Sequence, residues 1–451
     1  MIAPARIAAY ETILAVAAGR ADLPAALAHT RTRLRDERDR ALAGEIATGT
    51  LRWQAAFDHV IEQFAHRSPA RLDPEVLAIL RTGIFQLLHL DRVPASAVVD
   101  DAVQLTRKAG KKSAAGFVNA LLRRVSRERD RLPLPDAPPL DVLAITLSHP
   151  RWLAARWLER HGFDHASRWA RFDNSPAPLT LRVNTLETTR EALSADLAAA
   201  GVTVEPGRFA PNALVVTAGN PLLTRLAQTG AFVVQDEASQ LVGEYVCAVP
   251  GERILDACAS PGGKTTQMAA AMDGRGTIVA ADVRGRRVDL LARTVAASGA
   301  ANVHVVRSDA RAAPAFAPVF DAVLVDAPCS GLGTIRRDPD VRWRRSETDL
   351  PVFAAAQREM LAALAPIVRE GGRIVYSTCS SEPDENDEVV ADFLAAHAEF
   401  HRVVPPAFAD HPVLSTLLNS DGALATLPFR DGLEAFFATT LVKTTSAKLF
   451  E

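Results

Sequence analysis

Two cysteines of this 451-residue chain stand just past apolar runs that predict buried strands. Cys329 lies in "VDAPCSGLG", three residues after Asp326, and Cys379 lies in "IVYSTCSSEP". A cysteine is most often a small buried hydrophobe, and this interpretation suits Cys247 and the side chain of Cys258. Two thiols at adjacent strand ends instead indicate nucleophilic catalysis, in which a thiolate adds to the substrate and splits one difficult step into easier ones.

A glycine loop and two aspartates follow the other predicted strands. The loop "DACASPGGKTTQM" is not a phosphate-binding P-loop, because Cys258 stands where the first glycine of G-x-x-x-x-G-K-[ST] is needed. Its Pro-Gly-Gly turn leads into a helix predicted to begin near Thr265, whose N–H groups suit a carboxylate. Asp282 ends the next strand, where a carboxylate accepts the hydroxyls of a ribose, and Asp309 ends the third strand, on the adenine side.

A ligand with a carboxylate, a ribose and an adenine but no pyrophosphate fits S-adenosylmethionine better than NAD. The alternative is that Asp282 or Asp309 only caps a helix. Beside a methyl donor, two thiols favour methylation of cytosine at C5: a thiolate adds to C6, C5 takes the methyl group, a base removes the C5 proton and the thiol leaves. Asp326 is expected to contact N3 and the exocyclic amine of the base. The residues alone do not decide which thiol attacks.

The elements that position these residues are predicted from the hydrophobic pattern. Strand-like runs alternate with helical stretches after about residue 233, at 253–259, 276–283, 302–309, 320–328 and 372–378. Such alternation is typical of a parallel, doubly wound, Rossmann-like sheet, in which ligands bind beyond the carboxyl ends of the strands.

Two other domains are predicted before this one. Residues 1–132 show helical spacing, and the four prolines of "RLPLPDAPPL" interrupt it. A linker and a small α/β domain are predicted over 133–232, and the Rossmann-like catalytic domain over 233–451. The fold class is therefore multidomain: an all-α N-terminal domain, a small α/β middle domain and a C-terminal α/β domain.

Composition and charge limit the function classes. The net charge is −2, so a nucleic-acid surface must be local; the candidates are the basic runs at 107–112, 123–131 and 336–345. For the first two runs, a merely solvated face is the alternative. There is no C-x-x-C pair, no secretory signal and no membrane-spanning apolar run. We expect no metal site, no membrane partner, reduced thiols, a cytoplasmic location and a monomer.

Three long motifs, "DACASPGGKT", "VDAPCSGLGTIRRDPDVRW" and "YSTCSSEPDENDEVV", resemble those of the RsmB-type (Sun/Fmu) 16S ribosomal RNA cytosine-C5 methyltransferases, relatives of the NOL1/NOP2/Sun proteins. "LRTGIFQLLHLDRVPASAVVDDAV" and "GFVNALLRR" are similar to the NusB-like RNA-binding domain of that family. The resemblance covers nearly the whole chain. It implies S-adenosylmethionine as the cofactor, 16S ribosomal RNA as the partner and cytosine 967 of that RNA as the target.

The resemblance also implies a role for each site residue. Cys379 of the Thr-Cys motif is implied to be the nucleophile on C6, and Cys329 of the Pro-Cys motif to assist release of the product. The implied contacts of the methyl donor are Cys258, Ala259, Ser260, Pro261, Gly262, Gly263, Lys264, Asp282, Asp309 and Asp326. Ser260 stands where the family usually has alanine, which we expect the loop to tolerate. Ala435 stands where it typically has glycine, which weakens the match of the last strand.

The resemblance gives the basic runs a role in RNA binding. The runs at 107–112 and 123–131 are expected to hold the RNA backbone while the target base is extruded. Trp343 and the arginines of 336–345 are expected to make phosphate or base-stacking contacts.

Three other functions stay open at this point. The first is cytosine-C5 methylation of transfer RNA or of another ribosomal site, since the chemistry is shared. The second is an RNA-binding factor with an inactive methyltransferase fold, which the loss of Cys329, Cys379 or Asp326 would favour; all three are present. The third is a methyltransferase acting on protein or small molecules, which would not need two thiols.

Overall fold

The computed structural model describes residues 2–312 and 316–444. The chain divides into two compact units. Unit 1 comprises residues 1–176 and 335–347, and unit 2 comprises residues 177–334 and 348–451. Neither unit is continuous in sequence, since the chain returns to unit 1 for a short segment in its second half. Among the described helices, none is long and apolar enough to cross a lipid bilayer.

Unit 1 is helical, as the 3.6-residue spacing of its apolar side chains predicts. Its helices up to residue 174 are α1 (Pro4–Ala17), α2 (Leu23–Arg31), α3 (Glu37–Arg52), α4 (Gln54–Ala65), α5 (Pro74–His89), α6 (Ala95–Lys108), α7 (Ala115–Arg127), α8 (Pro139–Asp141) and α9 (Arg151–Asn174), the last interrupted at Gly162. On α5, Leu80 and Ile84 are fully buried in the core of the bundle. The predicted helical character of the N-terminal part is confirmed.

The segment 335–347 completes unit 1, and the arginine at its centre is buried. The Arg342 side chain is fully buried and donates hydrogen bonds to the Ser148 carbonyl (2.9 Å) and to Asn174 Oδ1 (3.0 Å). The half-buried Trp343 donates from Nε1 to the Leu51 carbonyl at 2.6 Å. The prediction of phosphate contacts is therefore wrong for Arg342, because its hydrogen bonds are used inside the protein.

The first part of unit 2 is a small antiparallel sheet with one helix. Its strands β1 (Thr180–Val183), β2 (Thr203–Pro206), β3 (Ala213–Ala218) and β4 (Phe232–Val234) lie in the order β2-β3-β1-β4. Helix α10 (Arg190–Ala199) begins after Thr189, whose hydroxyl accepts from the Ala192 N–H at 3.2 Å. Thr189 thus caps the helix, because such a side chain satisfies an N–H group that lacks a partner within the helix.

The second part of unit 2 is an eight-stranded mixed sheet with helices against it. The strands are β5 (Arg253–Asp256), β6 (Thr277–Asp282), β7 (Val303–Arg307), β8 (Phe320–Asp326), β9 (Val368–Thr378), β10 (Phe400–Val403), β11 (Leu424–Ala425) and β12 (Phe437–Lys443). The helices are α11 (Glu237–Tyr245), α12 (Gly263–Ala271), α13 (Gly285–Ala297), α15 (Leu350–Leu364), α16 (Asp387–Ala396), α17 (Pro406–Ala409) and α18 (Pro428–Asp431), while α14 (Val341–Arg344) belongs to unit 1.

The strand order β10-β12-β9-β8-β5-β6-β7 places the site. Strands β5 to β9 are parallel, and β10, β11 and β12 extend the sheet in antiparallel fashion. The five predicted strands are confirmed, whereas the antiparallel extension is not anticipated by the predicted parallel sheet. The order reverses between β5 and β8, and ligands of open α/β sheets bind in the crevice at such a switch point.

Both faces of the parallel strands are apolar because helices cover both faces. Ile254 and Leu324 pack in one core cluster with Leu291 of α13, while Val323 packs in a second cluster with Leu361 of α15. Each such fully buried side chain contributes about 1.5–3 kcal/mol relative to an exposed one. These two cores hold the carboxyl ends of the strands in fixed positions.

Candidate active site

The two thiols predicted at adjacent strand ends lie side by side. Cys329 follows β8 by three residues and Cys379 follows β9 directly. The strands pair in parallel with Asp326 opposite Ser377. The Sγ atoms of Cys329 and Cys379 are 3.2 Å apart. The expectation that both cysteines meet at one edge of the sheet is thus met in the structure.

The surroundings of Cys329 keep its thiol protonated. Its pKa is raised well above the ordinary value by the hydrogen bond to Cys379 and by burial. A protonated Cys329 can donate its S–H to Cys379 Sγ. Either sulfur can be the donor in this contact, and the protonated Cys329 is able to fill that role.

The loops that carry the thiols are tied together through their backbones. The Gly333 N–H donates to the Cys379 carbonyl at 2.9 Å, and the Ala435 N–H donates to the Gly333 carbonyl at 3.0 Å. A Cβ atom at Gly333 would lie 1.9 Å from the Ala435 carbonyl oxygen. Only glycine permits this approach, so the spacing of the two loops depends on residue 333. Ala435 takes part in this contact through its backbone.

Asp326 lies next to the thiols with its carboxylate fixed from two sides. Lys264 Nζ donates to Oδ2 at 2.7 Å, and Ser377 Oγ donates to Oδ1 at 2.9 Å. The Asp326 carboxylate raises the pKa of Lys264 against the opposing effect of burial. Lys264 therefore stays charged and anchors Asp326 at the end of β8.

The glycine loop after β5 has the conformation that its sequence predicts. Gly262 has φ +107°, which favours glycine, and α12 begins at Gly263, two residues before the predicted start. The Ser260 hydroxyl donates to the Arg287 carbonyl at 3.0 Å, and Arg287 donates back to the Ser260 carbonyl at 2.8 Å. The Ser260 hydroxyl therefore has a hydrogen-bond partner within the site.

The two ribose- and adenine-side aspartates differ in their surroundings. Asp282 ends β6 and is nearly buried; its Oδ1 accepts from the Arg284 N–H at 3.1 Å. Asp309 lies two residues past β7 and pairs with Arg311, whose guanidinium is 3.1 Å from Oδ2. Hydrogen bonds from Arg311 hold the pKa of Asp309 below its usual range. Asp309 is therefore a carboxylate whose contacts in this structure are to its own loop.

The donor set fits S-adenosylmethionine. The first turn of α12 offers N–H groups without intrahelical acceptors to a carboxylate, and Asp282 offers a carboxylate to a ribose at the adjacent strand end. Among the described residues, no group of three or more histidine, cysteine or acidic side chains could hold a metal ion. The donors at this edge suit an organic cation with hydroxyl and carboxylate groups.

The other two cysteines, Cys247 and Cys258, do not belong to the thiol pair, and their surroundings keep their thiols protonated. Burial raises the pKa of the Cys247 thiol, and burial together with the neighbouring carboxylates raises that of Cys258. Neither environment favours a thiolate, and both cysteines are half-buried rather than fully buried.

Arg182 of the small sheet is a site-supporting residue that sequence reasoning missed. It is almost fully buried and donates to the Gly263 carbonyl at 2.6 Å and to Thr266 Oγ1 at 2.8 Å. These bonds fix the first turn of α12, where the glycine loop ends. The available signal was a single arginine inside the apolar run "LTLRVNT".

Comparison with known proteins places the chain among RNA-modifying enzymes. The family described as 16S rRNA methyltransferase RsmB/F matches residues 246–442. The NusB family matches residues 3–127, and the RsmF/B-like ferredoxin-like domain matches residues 149–222.

Individual relatives match over most of their length. A probable ribosomal RNA small subunit methyltransferase B of Bacillus subtilis is 35% identical over 414 residues, which are 90% of this chain and 91% of that protein. The ribosomal RNA small subunit methyltransferase B of Pseudomonas putida is 35% identical over 86% of this chain and 88% of its own. The crystal structure of PH0851 superposes with a TM-score of 0.80 at 27% identity, covering 98% of this chain and 99% of that one.

The doubly wound sheet, the glycine loop and the carboxylates at its switch point define a methyltransferase that uses S-adenosylmethionine as its methyl donor. The 35% sequence identity to two ribosomal RNA methyltransferases, over about nine-tenths of the chain, identifies the family within this class. The chain belongs to the RsmB family of small-subunit ribosomal RNA methyltransferases, with a NusB-like helical domain at its N-terminus. The predictions of fold class and of cofactor are confirmed.

Proposed function

We propose that this chain methylates C5 of a cytosine in 16S ribosomal RNA, at cytosine 967, through a covalent adduct between Cys379 and C6 of the base. The observation that carries the proposal is the pair of thiols 3.2 Å apart at the edge of the sheet that also bears the glycine loop and Asp326. Transfer to an amine or a hydroxyl needs no thiol pair. Cytosine C5 is a poor nucleophile and needs covalent activation.

The contact between the thiols supports different roles for them. Because Cys329 keeps its proton, its S–H can stabilise a thiolate on Cys379. Addition forms the bond from Cys379 Sγ to C6 and moves the C5–C6 electron pair onto C5, which takes the electrophilic methyl group that S-adenosylmethionine supplies. A base then removes the C5 proton, the electron pair of that C–H bond restores the C5–C6 double bond, and the bond from C6 to Cys379 Sγ breaks. The S–H of Cys329 assists by donating a hydrogen bond to the departing Cys379 thiolate.

Asp326 would orient the cytosine ring. A carboxylate can accept about four hydrogen bonds, and Lys264 and Ser377 account for two of those on Asp326. The remaining capacity suits the exocyclic amine of cytosine, which is a donor. N3 is an acceptor, so an ionised Asp326 cannot serve it, whereas the Lys264 ammonium can donate. We therefore assign the amine contact to Asp326 and the N3 side to Lys264.

The remaining assignments concern the methyl donor and the RNA backbone. The loop from Cys258 to Lys264, with Asp282, Asp309 and Asp326, would hold the donor. The exposed cations at the ends of α6 and α7, including Arg107, Lys108 and Arg127, would hold phosphates. Arg311 occupies three acceptor positions of the Asp309 carboxylate, which leaves about one for the donor.

The test compares wild type, Cys379→Ala and Cys329→Ala with 16S ribosomal RNA and a methyl-labelled donor. The readouts are methyl transfer, the position of 5-methylcytosine in the RNA, and any RNA–protein adduct that survives denaturation. We expect Cys379→Ala to give neither transfer nor adduct, and Cys329→Ala to accumulate the adduct. Cys247→Ala is the matched control, since that thiol precedes β5 at the opposite, amino end of the strands.

Each other outcome contradicts a defined part of the proposal. A reversed pattern in the two variants makes Cys329 the nucleophile. Transfer to transfer RNA but not to 16S ribosomal RNA, or to a different cytosine, refutes the substrate. Methylation at N4 or at a ribose, with no adduct in any variant, refutes the C5 chemistry.

A further inference from the structure

A single buried carboxylate is bonded to both loops that carry the thiols. Glu385 lies between β9 and α16 and is fully buried. Its Oε1 accepts from the Ser330 N–H at 2.8 Å and from Gln357 Nε2 at 3.1 Å. Its Oε2 accepts from the hydroxyls of Ser330 and Ser380. Ser330 directly follows Cys329, and Ser380 directly follows Cys379.

The hydrogen bonds of Glu385 fill its acceptor capacity. A carboxylate has about four acceptor positions, and four donors from the described chain occupy those of Glu385. No cation among the described residues forms an ion pair with it. A buried carboxylate without a counter-ion is costly unless donors compensate it. Here the compensating donors come from the two catalytic loops, so moving either loop leaves a buried charge with missing bonds.

The two serines also contact each other and repeat the arrangement of the thiols. Ser330 Oγ and Ser380 Oγ are 3.2 Å apart, the same separation as the Sγ atoms of Cys329 and Cys379. Each loop thus presents a thiol and a hydroxyl in consecutive positions. The hydroxyls are joined through Glu385, and the thiols of the same two loops lie in contact with each other.

We propose that Glu385 is a positioning residue that sets the separation of the two thiols. The carboxylate acts through Ser330 and Ser380 and does not touch the cytosine. Its catalytic consequence rests on the proposed function, because only the adduct mechanism needs both thiols at one base. The role of Glu385 in setting the separation of the thiols does not depend on the proposed function. A misplacement of about 1 Å in a catalytic group costs about 100-fold in rate, which is the loss expected when the bridge is removed.

The test uses the full-length protein with Glu385→Gln and Ser380→Ala. Glu388→Gln is the matched control, because Glu388 is an exposed acid three residues further on. A glutamine keeps the shape of Glu385, and its carbonyl oxygen can still accept from the Ser330 N–H and from Gln357. Its NH₂ group, however, is a donor that faces the hydroxyls of Ser330 and Ser380, which must rotate in order to accept from it. Ser380→Ala removes one donor without touching Glu385, and it keeps the test available if Glu385→Gln does not fold.

The geometric readout is the binding of phenylarsine oxide, whose trivalent arsenic forms two As–S bonds with a pair of nearby thiols and loses its oxygen as water. We expect wild type and Glu388→Gln to bind it equally, and Cys329→Ala to lose this bidentate binding. Glu385→Gln and Ser380→Ala should bind it at least about 10-fold more weakly. Binding of S-adenosylhomocysteine, followed by calorimetry, should stay within about two-fold in every variant.

The catalytic readout is the separation of kcat from KM for the RNA. We expect kcat to fall about 100-fold in Glu385→Gln while KM changes little. A purely structural role would instead weaken S-adenosylhomocysteine binding and lower the melting temperature along with kcat.

The outcomes separate this inference from the proposed function. If wild type does not bind the arsenical, or if Glu385→Gln and Ser380→Ala bind it as wild type does, the inference is overturned. If Glu385→Gln loses arsenical binding but the cysteine variants show no adduct chemistry, the positioning holds and the proposed reaction fails.

Discussion

Replacing Arg342 with methionine should destabilise unit 1 strongly. The Arg342 guanidinium is fully buried and bonds to the Ser148 carbonyl and Asn174 Oδ1, with longer bonds of 3.4 Å to the carbonyls of Arg52 and Asp173. Each buried acceptor left without a donor costs about 1–3 kcal/mol. Removing the Arg342 cation offsets part of this loss of stability, since burial disfavours the charge of the guanidinium and lowers its pKa to about 9.

The net loss in the free energy of unfolding is expected to be about 3–5 kcal/mol, the range for removing one partner from a buried charged network. For a unit of this size, that corresponds to a fall in melting temperature of about 6–20 °C. Scanning calorimetry of the full-length protein should show the fall in one transition only. The unit 2 transition should not move.

Arg344→Met is the matched control for Arg342→Met. It removes the same charge two residues away, but the Arg344 side chain is 40% exposed and pairs with Asp340 at 3.1 Å. Asp340 is buried, but its Oδ2 keeps the hydrogen bond from the Leu23 N–H at 3.1 Å when Arg344 is removed, so we expect Arg344→Met to cost less stability than Arg342→Met, which leaves several buried acceptors without a donor. If Arg342→Met and Arg344→Met lower the melting temperature equally, or if Arg342→Met stays within about 1 °C of wild type, the burial argument for Arg342 is refuted.

Two further predictions follow from the site and from unit 1. Gly333→Ala places a Cβ 1.9 Å from the Ala435 carbonyl and 2.8 Å from that of Cys379, so methyl transfer should fall about 100-fold; Gly116→Ala, with open space around it, should leave transfer unchanged, and equal rates would refute the reasoning. Burial raises the pKa of Asp173 to about 7. Between about pH 4 and about pH 7, folded Asp173 therefore keeps a proton that the unfolded chain has already released. The contribution of this proton to stability is lost as the pH rises through that window. Asp173→Asn should reduce the fall in melting temperature between pH 5 and pH 8, and an unchanged pH profile would contradict it.

The chemistry-bearing positions were predictable because strand ends are visible in the sequence. An apolar run that stops at Asp326, or just before Cys379, marks the carboxyl end of a buried strand, and parallel strands bring such ends to one edge. The register Asp326–Ser377 then follows from the pairing of β8 with β9. The antiparallel direction of β12 was not predictable in the same way, because an apolar strand reads alike in either direction.

The residues that hold the site in place were not predictable. Arg342 stands in a run of arginines that suggests a surface, and its acceptors come from three separate segments of the chain. Glu385 is one of five acids within 382–388, and the sequence does not distinguish it from its neighbours. In both cases the function of the side chain depends on distant donors or acceptors. Local pattern carries no information about those partners.

The return of residues 335–347 to unit 1 has a consequence for synthesis on the ribosome. The helical part of unit 1 ends at residue 176, and its missing segment is made about 160 residues later. At a translation rate of about 5–20 residues per second, Arg342 is synthesised about 8–32 s after the backbone and side-chain acceptors to which it donates. During this interval the Ser148 carbonyl and Asn174 must stay hydrated or unpaired. The N-terminal part of the nascent chain therefore completes its native packing only after β8 and the Pro-Cys loop have been translated.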